Sequence, residues 1–144
     1  VKVLFDTSVI VAASLPRHPN HAPCFSQLQA ARNGQIQAYI STHTLAEAYS
    51  VLTRMPSQPR MLPSDTRILL SEYLLYIEAV ALETKDYRAA IDQMASLNLP
   101  GGGIFDALIA QAAVKASVDR ILTLNLNHFT RLSTAIAKIT QVPQ

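Results

Sequence analysis

The sequence predicts an α/β protein in which a mainly parallel sheet lies between layers of helices. Short apolar runs recur at residues 1 to 5, 37 to 41, 78 to 82, 120 to 124 and 138 to 142. Helical patterns of roughly 10 to 15 residues separate most of them, the spacing of crossover units. Strands buried on both faces read as continuous apolar runs, as these do, because helices cover both sides of a parallel sheet.

The elements follow from period and punctuation. VKVLF is a buried strand closed by Asp6, and Thr7 and Ser8 offer N-caps for a helix over SVIVAASL that ends in the loop of Pro16 and Pro19. A second helix runs from about 22 to 32 and stops at Asn33-Gly34, a turn or C-cap pair. QAYIS is the second strand, and 41 to 55 is a helix that must stop before Pro56. Pro56, Pro59 and Pro63 mark a rigid loop, after which Ser64 or Asp65 can cap a helix to about Tyr76.

EAVAL, 78 to 82, reads as the third strand, and Thr84 can cap a helix to about Asn98 with Tyr87, Ile91 and Met94 on its apolar face. After Pro100 and Gly101 to Gly103, nearly every position from 104 to 117 is apolar or small, which predicts a helix buried on most of its circumference. RILTL, a short helix near 127 to 133 and a last strand near 138 to 142 complete the chain.

With 144 residues, 49% of them hydrophobic and 15% charged, residues 1 to 144 suit one globular domain and exclude global disorder. A net charge of +2 makes a weak overall field, so any polyanion must be held by a local site. One cysteine, Cys24, cannot form an intramolecular disulfide and favours a reducing compartment, the cytoplasm. The apolar start carries Asp6 and a Pro-rich end, so it resembles neither a signal peptide nor a membrane span.

In open α/β sheets ligands bind beyond the carboxyl ends of the strands, so Asp6, which directly follows the first strand, is the first suspect. A helix cap is the competing explanation. Glu47 lies within the helix THTLAEAYSVLTRM and shares a face with Thr44, Ala48, Val51 and Met55, which sets a carboxylate on or beside an apolar stripe. Reaching water at the stripe edge, or pairing with Arg54, would also explain it. Asp106 has Ile109, Ala110 and Ala113 as same-face neighbours, and it too could cap a helix after the glycine run. That run is not a phosphate-binding P-loop, since no Gly-Lys-Ser/Thr follows.

Three acids that the topology could gather would repel one another unless a cation sat among them. Mg²⁺ or Mn²⁺ suits carboxylate and water oxygens and leaves positions for a substrate phosphate, whose oxygens it polarises.

VLFDTSVI, STHTLAEAYSVL, GGGIFDALIAQAA and ILTLNLNHF resemble, in order and spacing, the successive motifs of PIN-domain ribonucleases, most closely the VapC-type toxins. The resemblance spans residues 3 to 129 and implies a three-layer α/β/α fold and a divalent-metal endoribonuclease acting on RNA. It also implies a homodimer, and inhibition by a small antitoxin protein whose tail enters the active-site groove. Position by position it puts metal ligands at Asp6, Glu47 and Asp106, and supporting hydroxyls at Thr7, Ser8 and Thr123. At the fourth acidic position this chain has Asn125, an amide. Three ionised acids balance one divalent ion well and two poorly, so one tightly held metal is expected. Asp119 is no substitute: about six residues at roughly 3.3 Å each put it at the opposite end of the fourth strand.

A PIN-like RNA- or protein-binding module with weak or no catalysis, and a housekeeping RNA-processing nuclease, are the alternatives. His18, His21 and Cys24 recur every three residues but lack a fourth ligand for a structural zinc site, and Cys24 reads better as a small buried side chain. His43 and His128 read as surface or supporting groups, and Arg17, Arg54 and Arg60 as possible phosphate contacts. Asp86 and Asp92 fall on other helix faces and read as solvated, while the apolar first helix and the segment 68 to 77 are possible dimer faces.

Overall fold

The computed structural model describes residues 1–56 and 60–144. Its five strands are β1 (Lys2–Phe5), β2 (Gln37–Ser41), β3 (Ile77–Val80), β4 (Arg120–Leu122) and β5 (Thr140–Gln141), all parallel, in the order β3-β2-β1-β4-β5. The helices are α1 (Thr7–Ser14), α2 (His21–Arg32), α3 (Thr42–Arg54), α4 (Pro63–Tyr73), α5 (Thr84–Ser96), α6 (Gly103–Ala116), α7 (Leu126–Thr130) and α8 (Thr134–Ile139).

Strand order and crossover handedness together account for the layers. The steps β1 to β2 and β2 to β3 run one way across the sheet, while β3 to β4 jumps back past β1 and β4 to β5 continues in that direction. With right-handed crossovers, reversing direction moves the connecting helices to the other face. The core divides accordingly. Val3 and Phe5 of β1 pack with α1, α2, Ala48 and Tyr73, whereas Leu4 between them packs with α5, α6, Phe129 and Ile136. The two-residue period of a strand thus feeds two cores from VLF.

The α/β class and the parallel sheet are as expected, and several boundaries differ for identifiable reasons. Pro63 is the first residue of α4 rather than part of the preceding loop, a position where its missing N–H costs nothing; Pro59 lies outside the described residues. Helix α4 ends at Tyr73, not near 76, and Leu62 precedes it in place of Ser64 or Asp65. Glu83, not Thr84, caps α5 through a reciprocal box with Asp86. Asp86 is therefore not a solvated bystander: it accepts from the Glu83 backbone at 2.8 Å and from Lys115 at 2.9 Å. On α5 the buried residues are Ala90 and Met94, while Tyr87 and Ile91 face outward. Two short helices, α7 and α8, occupy the space assigned to one, so the last strand begins at Thr140. Helix α1 is core from Val9 to Ala13 and is no dimer face, whereas Ile68, Leu74 and Leu75 of the other segment are exposed.

Candidate active site

Between β1 and β4 the strand order reverses, and the loops beyond their carboxyl ends diverge into a crevice. Phe5 pairs with Leu122, so the next residues, Asp6 and Thr123, leave adjacent strands level with each other. Asp6 is 3% exposed. It stands at the N-cap position of α1, yet its side chain makes no cap hydrogen bond, which removes capping as the reason for an acid here. Instead Oδ2 accepts from Ser8 Oγ at 2.6 Å and from Thr123 Oγ1 at 2.8 Å.

Each of those hydroxyls is itself fixed by a backbone donor. The Leu124 N–H donates to Ser8 Oγ at 3.0 Å, and the Asn125 N–H to Thr123 Oγ1 at 2.9 Å. With a lone pair so engaged, each hydroxyl points its proton at Oδ2, and the Thr7 backbone also favours the ionised form. Thr7 begins α1, lines the cleft and donates to Thr44 of α3 at 3.0 Å, and its side chain is among the influences that hold the Glu47 carboxyl low. The bond to Thr44 anchors the helix that carries Glu47 one turn further on.

Ser41 caps α3 by accepting from the His43 N–H at 3.3 Å, and Thr44, Ala48 and Leu52 form the buried stripe of the helix. Glu47 sits at the edge of that stripe. Its partner is not Arg54 but His43, whose Nε2 lies 3.7 Å from Oε1 in an i, i+4 pair. The neighbouring imidazole is the main influence holding the Glu47 carboxyl below its ordinary value. His43 is a packed residue rather than a surface one: its ring stacks on Phe105 at 5.5 Å and 8°, and among the described residues neither ring nitrogen has a hydrogen-bond partner.

Asp106 lies in the first turn of α6 and is not its cap, a position held by Gly102. Burial, followed by the charge of Asp6, pushes its carboxyl up to about 6, against the opposing pull of His128 and Arg131. His128 Nδ1 stands 3.3 Å from Oδ2. Burial likewise raises Asp6, and Glu47 adds to the rise. The acids therefore sense one another, the coupling expected of carboxylates that share a site.

Asp6, Glu47, Asp106 and Asn125, with Thr7 and Ser8, line one cleft of ≈ 550 Å³. Its wall also contains Asn20, which no local motif marks, and His18, which the sequence offers only within the His18, His21 and Cys24 triplet. The His18, His21 and Cys24 triplet is thereby split: His21 Nδ1 bonds the Ala12 carbonyl at 2.9 Å, and Cys24 is fully buried, its thiol raised to about 11 by burial. Arg17, Arg54 and Arg60 are exposed and do not line the cleft. The nearby guanidinium is that of Arg131, which packs over the start of α6, where a Cβ on Gly103 would lie 2.6 Å from Nη2. Asp119 bonds the Lys2 backbone at the amino end of β1, far from the cleft.

The donor set suits a hard divalent cation, since it consists of carboxylate and amide oxygens and a cation among them would relieve the repulsion that raises Asp6 and Asp106. The side chains are not drawn in tightly: among the described residues no three Asp, Glu, His or Cys groups stand close enough to hold one ion together. Nor is any helix long and apolar enough among those residues to cross a membrane.

The family model described as PIN domain matches residues 2–127. The chain is 32% identical over 121 residues to ribonuclease VapC40 of Mycobacterium tuberculosis, covering 84% of each chain. It is 33% identical over 110 residues to ribonuclease VapC27 of the same species, covering 76% of this chain and 75% of that one. Among solved structures, VapBC2 of Rickettsia felis, bound to a DNA fragment from its promoter, matches with a TM-score of 0.68 at 19% identity over 100% of both chains. VapC20 of M. tuberculosis, a sarcin-ricin loop cleaving toxin, matches with a TM-score of 0.66 at 15% identity over 83% of this chain and 86% of that one.

Proposed function

This chain belongs to the PIN-domain family, and from that premise we infer that it is a VapC-type endoribonuclease, the toxin of a toxin-antitoxin pair, which hydrolyses RNA in the cleft of Asp6, Glu47 and Asp106. The observation that carries the assignment to this cleft is the double hydroxyl clamp on Asp6. Two strand ends and a helix start spend two backbone-anchored hydroxyls on orienting one buried carboxylate, an arrangement wasted on a structural acid.

Asp6, Glu47 and Asp106 would hold Mg²⁺ or Mn²⁺, with the Asn125 amide assisting. When bound, such an ion polarises a phosphoryl oxygen and offsets charge that develops in the transition state. The protein's own share is positional. Ser8 and Thr123 fix Oδ2 of Asp6, which holds the carboxylate in one orientation at the wall of the cleft. His43 restrains Glu47, and the cleft side of Asn125 offers a carbonyl acceptor and an N–H₂ donor. Arg131 offsets part of the negative charge that would otherwise repel the RNA backbone.

A small antitoxin protein is the partner that restrains this activity, the enzyme works in the cytoplasm as a homodimer, and the exposed Ile68, Leu74 and Leu75 are available to either protein contact. Cleavage of total RNA, assayed with Mg²⁺, with Mn²⁺ and with EDTA, tests the central reading. Activity is expected only with the divalent ion and only with Asp6 and Asp106 intact; undiminished cutting in EDTA, or by Asp6→Asn, would overturn it.

A further inference from the structure

Phe105 exposes 47% of its surface on a helix whose next eight positions are mostly buried. Scattered exposed apolar residues need no explanation, but this ring differs in how it is held. Its inner face lies nearly parallel on His43, with 5.5 Å between centroids and 8° between planes. His43 is 12% exposed at its side chain and spends neither nitrogen on a hydrogen bond among the described residues, so what the imidazole offers is its face. Helix α3 thus backs a ring carried by α6, and one face of that ring is left open.

The location gives the open face a use. His43 stands 3.7 Å from Glu47, and Phe105 directly precedes Asp106 on α6, so the stack joins the two helices whose acids line the cleft. Arg131, exposed and packed over the backbone of Gly103, lies at the same helix end and can meet a phosphate. RNA cut at an unpaired stretch must have its bases held apart, and single-stranded bases are held chiefly by stacking on aromatic faces.

We propose that Phe105, backed by His43, is a stacking platform for one unpaired nucleobase next to the scissile phosphate. The proposal deepens the ribonuclease reading and rests on it. A platform of this kind favours single-stranded RNA and strongly stacking bases without reading a hydrogen-bond pattern.

The test is binding of a short single-stranded oligoribonucleotide with 2-aminopurine placed at successive positions, in EDTA so that the RNA stays whole, alongside cleavage in Mn²⁺. One position is expected to be quenched by the protein. Phe105→Ala should abolish that quenching and weaken binding about 5- to 100-fold, the range for loss of one base–aromatic stack. Phe105→Trp should retain both, and Phe105→Leu, which keeps apolar bulk but no ring, should not. Wild-type binding and quenching by the leucine or alanine variant overturns the platform while leaving the nuclease assignment to the EDTA assay. Phe105-dependent quenching by a protein that cuts no RNA supports the platform and removes the nuclease reading.

Discussion

Thr123 Oγ1 donates a 2.8 Å hydrogen bond to Asp6 Oδ2 across 117 positions of the chain, joining the ends of the two strands between which the sheet reverses order. Thr123 is fully buried and its oxygen also accepts from the Asn125 N–H. Thr123→Val keeps the shape and removes both bonds, stranding a buried acceptor and a backbone donor. The expected cost is about 1–3 kcal/mol of stability, the usual penalty for unsatisfied buried polar groups, together with reduced cleavage as Asp6 loses orientation. Urea unfolding of the metal-free protein measures it; an unchanged midpoint would show that the clamp does not stabilise the fold.

The metal-free protein should lose stability as pH rises through about 6. Asp106, raised to about 6, and Asp6, also raised, both bind their protons more tightly folded than unfolded. Their favourable contribution is therefore full below the ordinary carboxylate range and fades as pH climbs through the folded values. Glu47, which His43 holds low, acts in the opposite sense and only at lower pH, where its stabilisation is lost as it protonates. Asp106→Asn should accordingly be more stable than wild type at pH 7.5, with the difference shrinking toward pH 4. A gap independent of pH would count against the shared-charge site. Mn²⁺ should reverse the ranking at pH 7.5, because only the wild type has all three carboxylates to bind it.

Gly103→Ala separates the arginine from the fold. The added Cβ would meet Arg131 Nη2 at 2.6 Å and Met94 Cε at 2.9 Å, both ends of flexible side chains that can swing away. Alanine also favours the helix by up to about 1 kcal/mol over glycine, so stability should change little. Arg131, however, must leave its seat, and its charge is one of those drawing the Asp106 proton affinity down. The Asp106 carboxyl should then titrate higher in carbon-detected NMR and cleavage should need more RNA to saturate. An unshifted titration would mean that Arg131 acts on Asp106 from some other position.

What could be seen in the sequence was whatever interrupts a local pattern. Asp6, Glu47 and Asp106 stood out because each breaks an apolar run, and the five strands because each is such a run. The hydroxyl of Thr123 has no comparable mark, since its role depends on two strands ending at the same level 117 positions apart, and Ser8, two residues from Asp6, reads locally as a helix cap; only the family resemblance gives either a place beside the acids. The His43–Phe105 stack and Arg131 over Gly103 are contacts between separate elements with no period to betray them, and the period that marks His18 points to a zinc-like triplet rather than to the cleft wall. On α5 side-chain bulk points to Tyr87 and Ile91 beside Met94 as the buried face, whereas close packing against α6 selects the small Ala90 beside Met94.

Asn125 offers the most direct control over the charge of the site. It is exposed, lines the cleft beside Asp6 and Asp106, and contributes an amide where the family pattern often has an acid. Asn125→Asp adds a fourth negative charge of nearly the same shape. Without metal it should deepen the mutual repulsion, lowering the unfolding midpoint at neutral pH and raising the Asp106 proton affinity further. With Mn²⁺ the same charge becomes a ligand, and binding should tighten on the order of tenfold, comparable to the effect of one opposite charge within about 4–6 Å. Four acids also balance two divalent ions, so calorimetric titration should move from one tight site toward two. Unchanged affinity and stoichiometry in Asn125→Asp would place the fourth position outside the ion's reach and leave the three-acid set as the whole of the site.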